Sequence, residues 1–185
     1  MTQSGGNWRR LVVAGLIVAM ASTAGLASCI GGSSNQDPST TTSTTAPQPK
    51  SAAGKPCVAV SDPLPEGSPA VPVEVGPAPT SLVIKDLVVG TGPGAIASSS
   101  VTVDYIGVSC STGKIFDSSY SRGEPVEFGL GQVIKGWSEG LLGMQAGGTR
   151  VLGIPAGLAY GDNSPTPAIA PGETLWFVVE MKSIA

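Results

Sequence analysis

Val101-Thr102-Val103-Asp104-Tyr105, followed across a Gly-containing turn by Ile115-Phe116-Asp117-Ser118-Ser119, is the stretch whose reading decides the fold. Apolar and polar residues alternate with a period of two in its first half, so Val101, Val103 and Tyr105 share one face of a strand. Tyr105 therefore faces a core. Ser109 to Lys114 reads as a turn around Gly113, after which Ile115-Phe116 resumes a strand. Working outward, Leu82 to Val89, Pro125 to Phe128, Thr149 to Ile154 and Thr174 to Ile184 have the residue content of strands, and Gly90 to Gly94 that of a turn. Ile134 to Met144 is the one helical pattern, with Ile134, Trp137, Leu141 and Met144 on one face. Gly136, Gly140 and Gly143 weaken it by up to about 1 kcal/mol each relative to Ala, so packing against a sheet must hold it. The pattern predicts an α+β fold, antiparallel strands wrapped on one short helix.

The rest of the 185 residues is uneven. Arg9 and Arg10 precede an uncharged run from Leu11 to Ala24, shorter than the roughly 20 apolar residues that span a bilayer. An export signal is the expectation. Leu26-Ala27-Ser28-Cys29 resembles the lipobox of bacterial lipoproteins, which makes residues 1–28 a lipoprotein signal peptide and Cys29 the lipidated N-terminus, acylated on the extracytoplasmic face of the membrane. Residues 29–54 are a Ser/Thr/Pro-rich tether, bare or carrying O-linked sugar; residues 55–80 form a Pro-rich extension of extended, loosely packed backbone; residues 81–185 form the compact domain.

Without the signal the chain carries eight basic and thirteen acidic residues, a net charge of −5. No basic stripe appears, which argues against a nucleic-acid partner. Histidine is absent, so His-based triads, His general bases and imidazole metal sites are excluded. With Cys29 assigned to lipid, Cys57 and Cys110 are too few for a Cys-only metal site, and no metal or cofactor is expected. Their number fits one disulfide in an oxidising compartment, with two unpaired small apolar residues as the alternative.

Phe116-Asp117 sets a carboxylate against an aromatic ring, and Val133, Ile134, Trp137, Tyr160, Ile169 and Phe177 can wall that acid with apolar surface and one phenol. Such a pocket suits an apolar amide. Taken singly, Trp137 and Phe177 read as core aromatics, Asp117 as a solvated turn acid and Arg122 as a surface charge. Trp176, beside Phe177 on a strand, points to the opposite face.

The ordered motifs Val103-Asp104-Tyr105-Ile106-Gly107, Gly113-Lys114-Ile115-Phe116-Asp117-Ser118-Ser119, Gln132-Val133-Ile134-Lys135-Gly136-Trp137, Leu158-Ala159-Tyr160-Gly161 and Thr174-Leu175-Trp176-Phe177 resemble the FKBP-type peptidyl-prolyl cis/trans isomerases. The resemblance covers Ser81 to Ala185. It implies a curved antiparallel sheet around a short helix, with a pocket between them lined by Tyr105, Phe116, Val126, Val133, Trp137 and Phe177 and closed on one side by Ile169. It also implies that Asp117 hydrogen-bonds ligands, Tyr160 donates to a ligand carbonyl, the Ile134 amide adds a contact, and Arg122 pairs with the acid. Val126 stands where many relatives have an aromatic residue, and Gln132 replaces an acid.

The expected function is isomerisation of X-Pro bonds in exported polypeptides at the cell envelope, with macrolides as ligands of the kind the family binds. The alternatives are a non-catalytic module or chaperone that binds proline segments through the same pocket, and a purely structural envelope lipoprotein.

Overall fold

The computed structural model describes residues 50–185; the expected signal peptide, Cys29 and most of the tether lie outside the described residues. The elements follow as β1 (Val83–Val88), β2 (Thr91–Gly94), β3 (Ser100–Ser109), β4 (Ile115–Ser118), β5 (Val126–Gly129), α1 (Lys135–Gly140), β6 (Gln145–Ala146), β7 (Thr149–Ile154), a 3-10 turn at Ala156–Leu158, and β8 (Leu175–Ile184). The main sheet has the order β1-β7-β8-β3-β4, with β5 also paired to β3, and every pairing in it is antiparallel. One short helix against this sheet is the α+β arrangement the sequence predicts.

Alternation distributes the long central strands over two cores. Val101, Val103 and Tyr105 of β3 join Leu175, Phe177, Val179 and Met181 of β8 and Leu152 and Ile154 of β7 on the face that meets α1. Ile106 and Val108 of β3, Val151 of β7, and Trp176 and Val178 of β8 make a second apolar cluster on the other face. A sheet apolar on both faces needs a second cover. The Pro-rich extension supplies it: Cys57 and Val71 are buried in that cluster, and Val60, Val73 and Ala78 pack on it. The extension is therefore extended in backbone but not loosely packed. Trp176 takes the outer face as predicted and is 1% exposed.

Cys57 and Cys110 are disulfide-bonded, which ties this cover to the end of β3. The Trp176 Nε1–H donates to Cys57 Sγ at 3.3 Å. Ala52, within the range read as tether, is itself buried, and its N–H donates to the Pro171 carbonyl at 2.8 Å.

Two local elements differ from the sequence reading. The helix covers six residues, Lys135–Gly140, with Ile134 as N-cap and Leu141 as C-cap. Gly143 takes φ of 71°, and that left-handed turn ends the helical run before Met144. Thr91–Gly94, read as a turn, is β2 and pairs with β6 across an irregular register. Its content of Gly and Pro hides it from strand propensity, because the pairing is set by the partner backbone.

Gly136 decides how closely α1 approaches the sheet. A Cβ built there would lie 2.3 Å from Ile154 Cγ2. Ala favours a helix over Gly by about 1 kcal/mol, whereas overpacking of a core costs about 1–3 kcal/mol. Gly136→Ala is therefore expected to lower stability by up to about 2 kcal/mol net, read by urea unfolding. A gain in stability would mean that the helix moves off Ile154 freely.

Candidate active site

A cavity of about 290 Å³ opens between α1 and the inner sheet face, lined by Tyr105, Phe116, Asp117, Phe128, Gln132, Val133, Ile134, Trp137, Tyr160 and Phe177. Trp137, 4% exposed, is its aromatic hub. Its ring makes edge-on contacts with Tyr105 at 5.3 Å, Phe128 at 5.4 Å and Phe177 at 5.4 Å between centroids. Phe116 and Phe177 add a further edge-to-face pair at 5.5 Å. Such pairs contribute about 0.5–1.5 kcal/mol each beyond the area they bury. Gly107 makes the last one fit, since a Cβ there would lie 2.6 Å from Phe116 Cζ and 2.8 Å from Phe177 Cε1.

Phe116 and Asp117 are adjacent on β4, and adjacent strand residues ordinarily point to opposite faces. Both line the cavity because the register slips at this point: Gly107 pairs with Asp117 and Val108 with Ile115, leaving Phe116 as the extra residue. A bulge of this kind re-aims side chains and disrupts the local ladder.

Asp117 is held from three sides. Tyr105 donates its phenol to Oδ2 at 2.5 Å, Arg122 donates Nη1–H to Oδ1 at 2.6 Å, and the Ser118 N–H donates to Oδ1 at 2.8 Å. Arg122 also donates Nη2–H to the Tyr105 hydroxyl at 2.8 Å, and its guanidinium lies 5.6 Å from that ring's centroid. Partial burial pushes the Asp117 pKa up, but the hydrogen bonds from Tyr105 and Arg122 and the Arg122 charge outweigh it and hold the carboxyl below its ordinary value. Burial, reinforced by the bond to Asp117, pushes Tyr105 up to about 12. Burial and the Asp117 charge likewise raise Tyr160.

Ser119 ties this corner to β3. It is fully buried, accepts the Tyr105 N–H at 2.9 Å and donates to Asp104 Oδ1 at 2.8 Å. The Arg122 N–H in turn donates to the Ser119 carbonyl at 2.9 Å, which folds Arg122 back toward Asp117.

Three donors on lining residues lack partners among the described residues. Neither the Ile134 N–H, at the N-cap of α1, nor the Tyr160 hydroxyl has a hydrogen-bond partner among the described residues. The buried Trp137 Nε1–H also lacks one among the described residues. The cavity thus offers aromatic walls, unpaired donors and a carboxylate already engaged. It has the makings of a receptor for an apolar group bearing a carbonyl.

Of the residues singled out from sequence, Tyr105, Phe116, Asp117, Val133, Ile134, Trp137, Tyr160 and Phe177 are brought together around the cavity. Arg122 stands outside the lining and acts on it through Asp117 and Tyr105. Val126 and Ile169 do not line it. Val126 pairs with Val103 and packs on the inner core. Phe128, two residues on and so on the same face, reaches it with a ring. Ile169, 3% exposed, is absorbed into the inner core instead of closing a side. Phe128 was legible in the alternation of Val126-Glu127-Phe128, and Gln132 in the motif that it opens, where it replaces an acid.

Residues 93–182 match the family described as FKBP-type peptidyl-prolyl cis-trans isomerase. The chain is 50% identical over 119 residues to an FK506-binding protein of Streptomyces anulatus, a match covering 63% of this chain and 96% of that protein. Among solved structures it is similar to AtFKBP13, with a TM-score of 0.52 and 39% identity over 58% of this chain and 96% of that one. It is also similar to FkpA from Escherichia coli, with a TM-score of 0.53 and 44% identity over 57% of this chain and 48% of that one. An aromatic cavity built from those motifs, in a match spanning nearly the whole length of a relative, identifies the chain as a member of the FKBP-type peptidyl-prolyl cis-trans isomerase family.

Proposed function

We propose that this isomerase acts on X-Pro bonds of exported polypeptides, held by lipid on Cys29 at the extracytoplasmic face of a bacterial membrane. The observation that carries the reading is that the Ile134 N–H and the Tyr160 hydroxyl, on residues lining a cavity rich in aromatic rings, have no hydrogen-bond partner among the described residues. The lipobox-like Leu26-Ala27-Ser28-Cys29 and the Ser/Thr/Pro-rich stretch after it support the location.

The barrier to be lowered is about 18–20 kcal/mol, set by amide resonance, and the uncatalysed exchange takes tens to hundreds of seconds. Resonance separates charge in the planar amide. An apolar cavity therefore favours the twisted, less polar amide over the planar one, while fixed donors hold the carbonyl in place. The prolyl ring packs against the Trp137 face of the cavity. Tyr160 and the Ile134 amide take carbonyl oxygens of the substrate. Asp117, fixed by Tyr105 and Arg122, gives the rim a single oriented negative group. No proton is transferred, so the absence of histidine is no obstacle. The same cavity is suited to a macrolide of the FK506 type, the ligand for which the relative from Streptomyces anulatus is named.

Three outcomes are expected. The full-length chain accelerates isomerisation of a short X-Pro peptide, and Tyr160→Phe and Asp117→Ala each lower kcat/KM about fivefold to a hundredfold; no acceleration by the unsubstituted chain would leave only a binding module. The pH dependence follows from the Tyr105–Asp117 bond, which needs a neutral phenol and an ionised carboxylate. Asp117 has a lowered pKa, so its contribution is present above the ordinary carboxylate value and lost only as pH falls through the lowered one. Tyr105 is raised, so its contribution is full below the ordinary 10.0 and lost as pH rises through about 12. The profile of kcat/KM is thus level between about pH 5 and pH 9, and a midpoint near neutrality would contradict it. Finally, Cys29→Ser moves the protein from the membrane fraction to the soluble one, and retention at the membrane would count against the anchor.

A further inference from the structure

The segment before the family-matched span does more than cover the outer face, and its hydrogen bonds fall on the two flanks of the pocket. From Cys57 onward it runs beside the β3–β4 turn: the Val58 N–H donates to the Cys110 carbonyl at 2.8 Å and the Ser61 N–H to the Gly113 carbonyl at 2.8 Å. Asp62 then accepts the Ile115 N–H on Oδ2 at 2.8 Å. Ile115 is the first residue of β4, which carries Phe116 and Asp117. Just before the extension, Ser51 and Ala52, in the range read as tether, hold the loop that leaves Tyr160. The Ala52 N–H and the Ser51 hydroxyl both donate to the Pro171 carbonyl, at 2.8 and 3.2 Å, and the Gly172 N–H closes that loop onto the Gly161 carbonyl at 2.8 Å. The Cys57–Cys110 bond fastens the segment between these two grips.

β4 needs such a hold. It lies at the end of the main sheet, paired only to β3, and its ladder is broken by the bulge at Phe116. A four-residue edge strand with an interrupted ladder has few bonds to fix it. Asp62 supplies one where a neighbouring strand would otherwise stand, immediately before the two pocket residues.

We propose that Ser51–Asp62 is a positioning strap for the pocket, and that Asp62 is a positioning residue which fixes Phe116 and Asp117 through the Ile115 amide. The proposal rests on the isomerase reading for its kinetic consequence. Substrate binding by apolar contact tolerates small shifts of β4, whereas holding the twisted amide against oriented groups does not. The strap therefore bears on kcat more than on KM.

In the full-length chain, Asp62→Ala is expected to lower kcat about fivefold to tenfold with KM changed less than about twofold. Asp62→Asn keeps an acceptor oxygen and is expected to restore most of the rate. Amide hydrogen exchange, measured on the same proteins, should speed up at Ile115, Phe116 and Asp117 in Asp62→Ala while Val151 and Val178 stay protected. An unchanged kcat in folded Asp62→Ala, or a loss in Asp62→Asn as large as in Asp62→Ala, overturns the proposal. Exchange that rises everywhere or nowhere overturns it as well, whether or not the kinetics can be measured. An unsubstituted chain without isomerase activity counts against the isomerase reading instead, and the exchange pattern then decides the strap alone.

Discussion

The edge-on packing of Trp137 against Tyr105, Phe128 and Phe177 is the contact on which the remaining structure depends. It joins the helix to three strands at once, because Tyr105 lies on β3, Phe128 on β5 and Phe177 on β8. A six-residue helix containing two glycines has too few bonds to persist alone. The indole anchors it, and Gly136 lets its backbone come down onto Ile154. The same rings are the walls of the cavity, so the interaction that closes the core also shapes the site. Little rearrangement is left for a ligand to drive, which is what an isomerase acting by preorganisation requires.

Polar groups at the rim are arranged with comparable economy. Arg122 and Tyr105 both donate toward Asp117, and Ser119 ties Tyr105 to the turn that returns Arg122 to the site. The carboxylate is thereby oriented and partly neutralised, while the Ile134 amide and the Tyr160 hydroxyl stay unpaired among the described residues. Behind the sheet, the extension buries an apolar face that would otherwise be exposed, and the disulfide closes a sequence separation of 53 residues. Closing a loop of that length removes about 4 kcal/mol of unfolded-state entropy in the chain-entropy account.

Much of this was legible in the residues. Period-two alternation in Val101 to Tyr105 places Tyr105 inward, and the ordered motifs hold nine of the ten residues that line the cavity, all but Phe128. What stayed hidden depends on register and on partners distant in sequence. The bulge that turns both Phe116 and Asp117 to one side cannot be seen in a four-residue strand, since it exists only relative to Gly107 and Val108. β2 carries no strand signal, because Thr91-Gly92-Pro93-Gly94 meets β6 across an irregular register in which the Gln145 side chain also donates to the Gly92 carbonyl. The family resemblance implies a pocket role for Val126, but Val126 packs on the inner core and Phe128 lines the cavity from the same face. Packing of the extension followed from the apolar outer residues of β3 and β8, a requirement that a single strand's pattern does not reveal.

Trp137 and Trp176 stand on opposite faces of the sheet, one in the cavity and one under the extension, and this makes them paired reporters. The indole N–H resonances of both can be followed while the full-length chain is titrated with a short X-Pro peptide. The Trp137 resonance is expected to move as the peptide binds, with exchange between cis and trans peptide accelerating in step, while Trp176 holds its position. A Trp137 resonance that stays still while peptide exchange accelerates, or a shift confined to Trp176, would contradict an isomerase site built on the Trp137 cradle.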